Sequence, residues 1–238
     1  MSAIRFWAVI PAAGVGSRMT SDIPKQYLSI GGHTVLEHTL MRFCRHPRIS
    51  GVVVVIARDD HRWPQLGISK HTGIRRAEGG AERMHSVVSG LHLLENEADQ
   101  DDWVLVHDAA RPCIRQADIT RLIEKLQSHP VGGLLGWPVR DTMKRVGNNN
   151  EVLETIDRTG LWHALTPQMF RLGELKSALQ LALEANKTVT DEAQAIEMSG
   201  RQPMFVKGAP DNIKITLNTD LEMAEICIRA QETETVCV

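Results

Sequence analysis

The stretch FWAVIPAAGVGSRMTSDIPKQYL, residues 6–28, sets the expectation for the whole chain. It opens on a short apolar run, turns through small residues and then presents two cations, Arg18 and Lys25. Residues 6–10 are continuously apolar rather than alternating, the pattern of a strand covered on both faces. A strand that empties into a glycine-bearing turn aims backbone N–H groups at a phosphate. The turn is neither a dinucleotide fingerprint nor a P-loop. Met19 stands where the third glycine of GxGxxG belongs, Arg58 follows Ala57 where an acid is needed, and no GK[ST] occurs. What remains is Ala12-Ala13-Gly14, small enough for a base or phosphate to approach the backbone, with Pro24 fixing the approach to Lys25.

Outward from this stretch the chain alternates strand and helix. Thr34-Val-Leu-Glu37 reads as a capping box opening a helix to about Arg45, which Pro47 closes. Residues 51–57, GVVVVIA, are the clearest strand, and a weaker one falls at 74–77 before Gly79-Gly80. Met84, Val87, Val88, Leu91 and Leu94 lie at helical spacing, residues 103–106 form a strand, and Ile119, Leu122, Ile123 and Leu126 mark another helix before Pro130. Residues 133–139 make a further strand. The rhythm predicts an α/β fold, a Rossmann-like, mostly parallel sheet sandwiched by helices, in a single domain spanning residues 1–238. The loops AAGVGSR, EGGAER and HDAARP all follow strands and are expected to meet at one sheet edge.

Residues 139–165 break the rhythm. Two polar-apolar runs flank Gly147-Asn-Asn-Asn150, which predicts a projecting β-hairpin arm. An isolated hairpin is marginal in water, so a second subunit is the expected partner, as a homodimer. Beyond it the pattern gives helices over 175–183 and 191–199, a strand at 204–207 and an extended segment at 213–217. A capping box at Thr219–Glu222 is expected to open a last helix ending near Arg229, with residues 231–238 frayed.

Composition excludes several classes. The net charge of −2 gives no basis for broad nucleic-acid binding, and no apolar run is long enough to span a membrane. Cys44, Cys113, Cys227 and Cys237 lack CxxC spacing, and no signal peptide is discernible, so a cytoplasmic protein with reduced thiols is expected. The ten histidines include no HExxH.

The constellation is more specific than its parts. Ala12-Ala13-Gly14-x-Gly16-x-Arg18 with Pro24-Lys25 resembles the signature of the sugar-nucleotide pyrophosphorylase-like nucleotidyltransferases. Gly79-Gly80-x-x-Arg83-x-x-Ser86, His107-Asp108-Ala109-Ala110-Arg111-Pro112, Asp141-Thr142, Arg158, the run Gly160 to Gln168, Thr190-Asp191-Glu192 and Asn212-Ile213-Lys214 follow in order. Together they resemble the 2-C-methyl-D-erythritol 4-phosphate cytidylyltransferase family of the non-mevalonate isoprenoid pathway, over residues 6–228.

The resemblance implies a transfer of the cytidylyl group from CTP to 2-C-methyl-D-erythritol 4-phosphate with loss of pyrophosphate. It assigns Arg18 and Lys25 to transition-state stabilisation, and Ala12, Ala13, Gly14, Gly80, Ser86, Asp108 and Ala109 to the nucleotide. Arg111, Thr142, Arg158, Thr166, Thr190 and Lys214 fall to the acceptor. Mg²⁺ is expected mainly on the CTP phosphates, with Asp108 a possible contact. Without the resemblance Lys214 reads as a strand-edge lysine and Arg158 as an exposed hairpin arginine. Two other readings stand beside this one: a D-ribitol 5-phosphate cytidylyltransferase, and a non-catalytic nucleotide-sensing module, which would have no use for cations at the α-phosphate.

Overall fold

The computed structural model describes residues 3–14 and 23–236. Its first strand, β1 (Phe6–Pro11), is followed by a 3-10 turn at Lys25–Tyr27 and a small ribbon of β2 (Ser29–Ile30) and β3 (His33–Thr34). Helix α1 (Val35–Cys44), β4 (Ile49–Ile56), two further 3-10 turns at Trp63–Gln65 and Gly67–Lys70, β5 (Ile74–Glu78), α2 (Arg83–Leu94), β6 (Trp103–Val106), α3 (Gln116–Leu126) and β7 (Gly132–Pro138) come next. The hairpin strands β8 (Met143–Val146) and β9 (Val152–Ile156) lead into β10 (Trp162–Arg171). The chain closes with α4 (Leu172–Glu184), α5 (Glu192–Met198), β11 (Met204–Lys207) and α6 (Asn218–Val236).

Seven strands form one sheet in the order β11-β7-β10-β6-β1-β4-β5. All neighbours pair parallel except β10, which is antiparallel to both β6 and β7. The period-2 geometry of the strands divides the core in two. Ala8, Ile10, Val52, Val54, Ile56 and Leu105 face α1 and α3. Val9, Val53, Val55, Val104 and Val106 face α2, α4 and α5. This is why residues 52–56 of β4 read as unbroken Val/Ile: both faces are covered there. Helix α6 caps a third, smaller cluster with Ile30, Val35, Cys113 and Ile215.

The capping box at Thr34 forms as expected, with Glu37 N–H donating to Thr34 Oγ1 (3.1 Å) and Thr34 N–H to Glu37 Oε2 (2.8 Å). Four expectations need correction. The arm is the shorter hairpin β8-β9, because Trp162 to Leu165 belong to β10, a central strand that the sequence reading did not assign. Residues 213–217 are not a strand, although Ile215 N–H does donate to Ala110 O (2.9 Å). Helix α6 starts at Asn218, two residues early, and Asp220 Oδ2 takes up the N–H groups of Thr216 and Leu217 (2.7 and 2.8 Å) in place of a Thr219 box. Finally, α6 continues through Val236, past Arg229. Gln231 is buried there, and its Nε2 donates to Cys113 O (2.9 Å) and Asp211 Oδ2 (3.0 Å). No helix among the described residues is long and apolar enough to cross a membrane.

Candidate active site

After β1 the chain steps outward to β4 and β5, then returns to β6 on the other side of β1. Such a reversal opens a crevice at the carboxyl ends of the strands. The loops after β1, β5 and β6 line that crevice, a cleft of about 400 Å³. Ala12, Ala13, Gly14, Lys25, Gly80, Ser86, Asp108, Ala109 and Lys214, all singled out from sequence, meet there.

Close packing sets the distance between the first two loops. A Cβ on Gly79 would collide with the Cβ of Ala13, so only glycine lets the β5 loop lie against the β1 loop. Gln26, buried beside Lys25, pins the same loop from below: its Nε2 donates to Ala12 O (2.8 Å) and Gly14 O (3.1 Å). A Cβ at Gly14 would meet nothing within 4 Å among the described residues, and Gly14 lines the cleft. Ser86 is buried at the start of α2 and spans its own loop, accepting from Gly80 N–H and donating to Glu82 O (both 3.2 Å).

A charged cluster forms the opposite wall. Asp108 Oδ1 accepts from Arg83 Nε (3.0 Å), and Oδ2 meets Lys214 Nζ (2.9 Å) and Arg111 Nε (3.4 Å). Arg83 also grips the buried Glu192 through both terminal nitrogens (2.6 and 3.1 Å). Three cations thus share two carboxylates, leaving one positive charge over, to which Lys25 adds another. Burial opposes ionisation of Asp108, but Arg83, Lys214 and Arg111 outweigh it and hold the carboxyl well below the usual carboxylate range. Arg83 keeps its charge despite burial because Glu192 and Asp108 raise its pKa. Lys25 Nζ donates to Ile215 O (3.2 Å), next in sequence to Lys214, so the two lysines are tied to one segment.

Behind Asp108 a neutral relay sets the backbone. His107 is fully buried, and burial lowers its pKa to about 4. One ring nitrogen faces Arg111 O (3.0 Å), which can only accept, so Nε2 carries the proton. Nδ1 therefore accepts from the Thr166 hydroxyl (2.9 Å), which in turn accepts from Asp108 N–H (3.2 Å). Thr166 precedes a cis proline, and its carbonyl accepts from the buried Asn212 amide (2.7 Å).

The remaining sequence-derived residues divide. Arg111 and Thr166 sit immediately behind the cleft and support Asp108. Thr142 and Arg158 are exposed at the base of the arm, and Thr190 is exposed just ahead of α5. Gly16 and Arg18 lie outside the described residues. Five residues of the site were given no role by sequence: Gln26, Arg83, His107, Glu192 and Asn212. Glu192 and His107 stood inside quoted motifs, but spacing alone could not pair Glu192 with Arg83, 109 residues away. For Gln26 no sequence signal existed.

The sequence profile of the 2-C-methyl-D-erythritol 4-phosphate cytidylyltransferase family matches residues 6–230. Among curated proteins, the one so named from Pseudomonas syringae pv. syringae is 53% identical over 218 residues, covering 91% of this chain and 92% of that protein. Its namesake from Pseudomonas aeruginosa (strain UCBPP-PA14) is 55% identical over 217 residues, covering 91% and 93%. Among solved structures, the Francisella tularensis 2-C-methyl-D-erythritol 4-phosphate cytidylyltransferase superimposes with a TM-score of 0.82 at 39% identity, over 94% of this chain and 99% of that one. The Thermus thermophilus protein of the same name gives 0.79 at 29% identity, over 95% and 100%.

Proposed function

The chain belongs to the 2-C-methyl-D-erythritol 4-phosphate cytidylyltransferase family, and from that we propose how its residues divide the joining of CTP to 2-C-methyl-D-erythritol 4-phosphate. An oxygen of the acceptor phosphate attacks the CTP α-phosphorus. A new P–O bond forms in line with the bond to the β-phosphate, which breaks and releases pyrophosphate. The nucleophile is already an anion, so no general base is needed. The difficulty is electrostatic: two polyanions must meet while charge builds on the five-coordinate phosphorus.

The observation that carries this reading is the convergence of Lys25 and Lys214 with the three small-residue loops in one cleft. Ala12, Ala13, Gly14 and Gly80 leave room for cytidine to approach the backbone, and Ala109 adds a buried wall. Lys25, with Arg18, stabilises the charge that develops on the α-phosphate. Lys214 and Arg111 serve the acceptor phosphate, with Asp108 holding both in place until substrate arrives.

Mg²⁺ is assigned to the CTP phosphates. Both oxygens of Asp108 are shared among three cations, so Asp108 would contact the ion only as Lys214 and Arg111 turn to substrate. Bound there, the ion would neutralise triphosphate charge.

Thr142, Arg158 and Thr190 are proposed to contact the acceptor, the first two from a neighbouring subunit. The arm's exposed Met143, Val146, Val152 and Leu153 support its packing on a second copy. A cytoplasmic homodimer without nucleic-acid or membrane partners fits the reading. The relatives quoted above carry the methylerythritol name, which favours that acceptor over ribitol 5-phosphate and a transferase over a sensor. Pyrophosphate release from purified protein, CTP and Mg²⁺ tests this, each acceptor being supplied in turn. Turnover is expected to be fastest with methylerythritol phosphate. Faster turnover with ribitol 5-phosphate, or none with either acceptor, would overturn it.

A further inference from the structure

Helix α1 carries two working stripes. Val35, Leu36, Thr39, Leu40 and Phe43 are buried in the core. His38, Met41, Arg42 and Arg45, spaced i, i+3, i+4 and i+7, share a second face. That face lines a groove of about 1070 Å³, against about 400 Å³ for the cleft at the strand ends. Ile68, Lys70 and His71 form its far wall, and Gln116 and Gln231 also line it.

The charges in this groove are unbalanced. Arg42, Arg45 and Lys70 are cations, and His33 and His71 add two more rings that can donate, His38 Nε2 being committed to Ile30 O (2.9 Å). Two carboxylates, Glu37 and Glu232, face them. Glu37 is committed to its capping box, with Oε2 accepting from both Thr34 N–H and Thr34 Oγ1. Arg42 is half-buried, and its side chain donates to Gln231 Oε1 (2.8 Å). Among the described residues no carboxylate is within ion-pair distance of Arg42, and Glu232 acts on it only through longer-range charge attraction. A guanidinium shielded from water normally pairs with an anion, because its five N–H donors otherwise lose hydration without replacement. The planar donor forks of two arginines with a lysine suit a phosphate group. Met41 and Ile68 beside them offer apolar surface to the body of a ligand.

We propose that this groove is a second ligand site, separate from the CTP cleft, that binds a small organic phosphate through Arg42, Arg45 and Lys70.

Phenyl phosphate titrated calorimetrically into the full chain is the test. The measurement is made with the cleft saturated by the cytidylylated product, which has no pyrophosphate to lose. A binding event should persist under that condition and be unchanged in Lys25→Gln. Arg42→Gln and, separately, Arg45→Gln should each weaken it about tenfold or more. Arg45 is exposed, so its variant tests the site without disturbing the core. Disappearance of the event once product fills the cleft would overturn the proposal. So would wild-type affinity in either arginine variant.

Discussion

Lys214 Nζ stands 2.9 Å from Asp108 Oδ2, on a carboxylate whose other oxygen is held by Arg83 at 3.0 Å. A single buried anion therefore fixes the cation of the β6 loop, the cation of α2 and the cation of a segment more than a hundred residues later in the chain.

Replacing that anion should be costly to the fold. Asp108→Asn leaves the two partly buried arginines without their shared counter-charge, and an unfolding free energy lower by about 3 kcal/mol is expected in urea. Lys214→Gln should cost much less, since its side chain is 41% exposed. Because the folded pKa of Asp108 is depressed, its contribution is complete at neutral pH. It is lost as pH falls below the ordinary carboxylate value towards the folded one. Asp108→Asn should flatten that acid limb; an unchanged limb would contradict the assignment.

His107 gives a second, separable pH dependence. Its folded pKa is about 4 because it is buried. Below the ordinary histidine value of about 6.5 the unfolded chain takes a proton that the folded chain refuses. Stability should thus decline between about pH 6.5 and pH 4, by roughly 3 kcal/mol in all. His107→Gln removes the titration, and denaturant curves collected across this range should lose the slope.

The contact between Gly79 and Ala13 can be tested by relief. Gly79→Ala forces two methyl groups into one space, with a stability loss of about 1–3 kcal/mol and weakened CTP binding. Adding Ala13→Gly should restore most of both. Thermal melts and CTP titrations on the single and double variants decide the matter, and failure of the second change to rescue would show that another contact is responsible.

Lys25→Ala is expected to lower kcat by roughly 10²–10³ while changing the CTP KM little, as for loss of a donor used only in the transition state. Steady-state kinetics with CTP varied give both parameters. An effect confined to KM would move Lys25 from the reacting phosphate to ground-state binding.

The arm makes a prediction about assembly. Leu153→Asp places a charge on the exposed apolar surface of β9 and should shift sedimentation from dimer to monomer. If Thr142 and Arg158 complete a neighbour's site, activity should fall with it. A fully active monomer would leave both residues without a role there.

The alternation of the first 130 residues and the meeting of three loops were legible because both rest on local signals. Apolar runs such as VVVV specify strands buried on two faces, and polar residues directly after them mark the ligand edge. Strand β10 was hidden for a physical reason. Its first half, Trp162 to Leu165, is partly exposed and shows no apolar-polar alternation, and its buried half is interrupted by Pro167, a residue that argues against a central strand. The Arg83–Glu192 and His107–Thr166 pairs were illegible because each is a tertiary contact between side chains whose own neighbourhoods are unremarkable. Gln26 belongs to the same class. The length of α6 depended on Gln231, a residue type that gives no outward sign of burial.

Strand β7 has an implication for the order in which the molecule is assembled. Both of its neighbours in the sheet, β10 and β11, are later in the chain. As the polypeptide leaves the ribosome, β1, β4, β5 and β6 can associate with α1 to α3, while β7 waits for the return of β10. Strand β10 delivers Thr166, the hydroxyl that bridges His107 and the Asp108 backbone. The nucleotide half of the cleft is therefore available to form early in synthesis, and the support for the acceptor half arrives only when the sheet is closed.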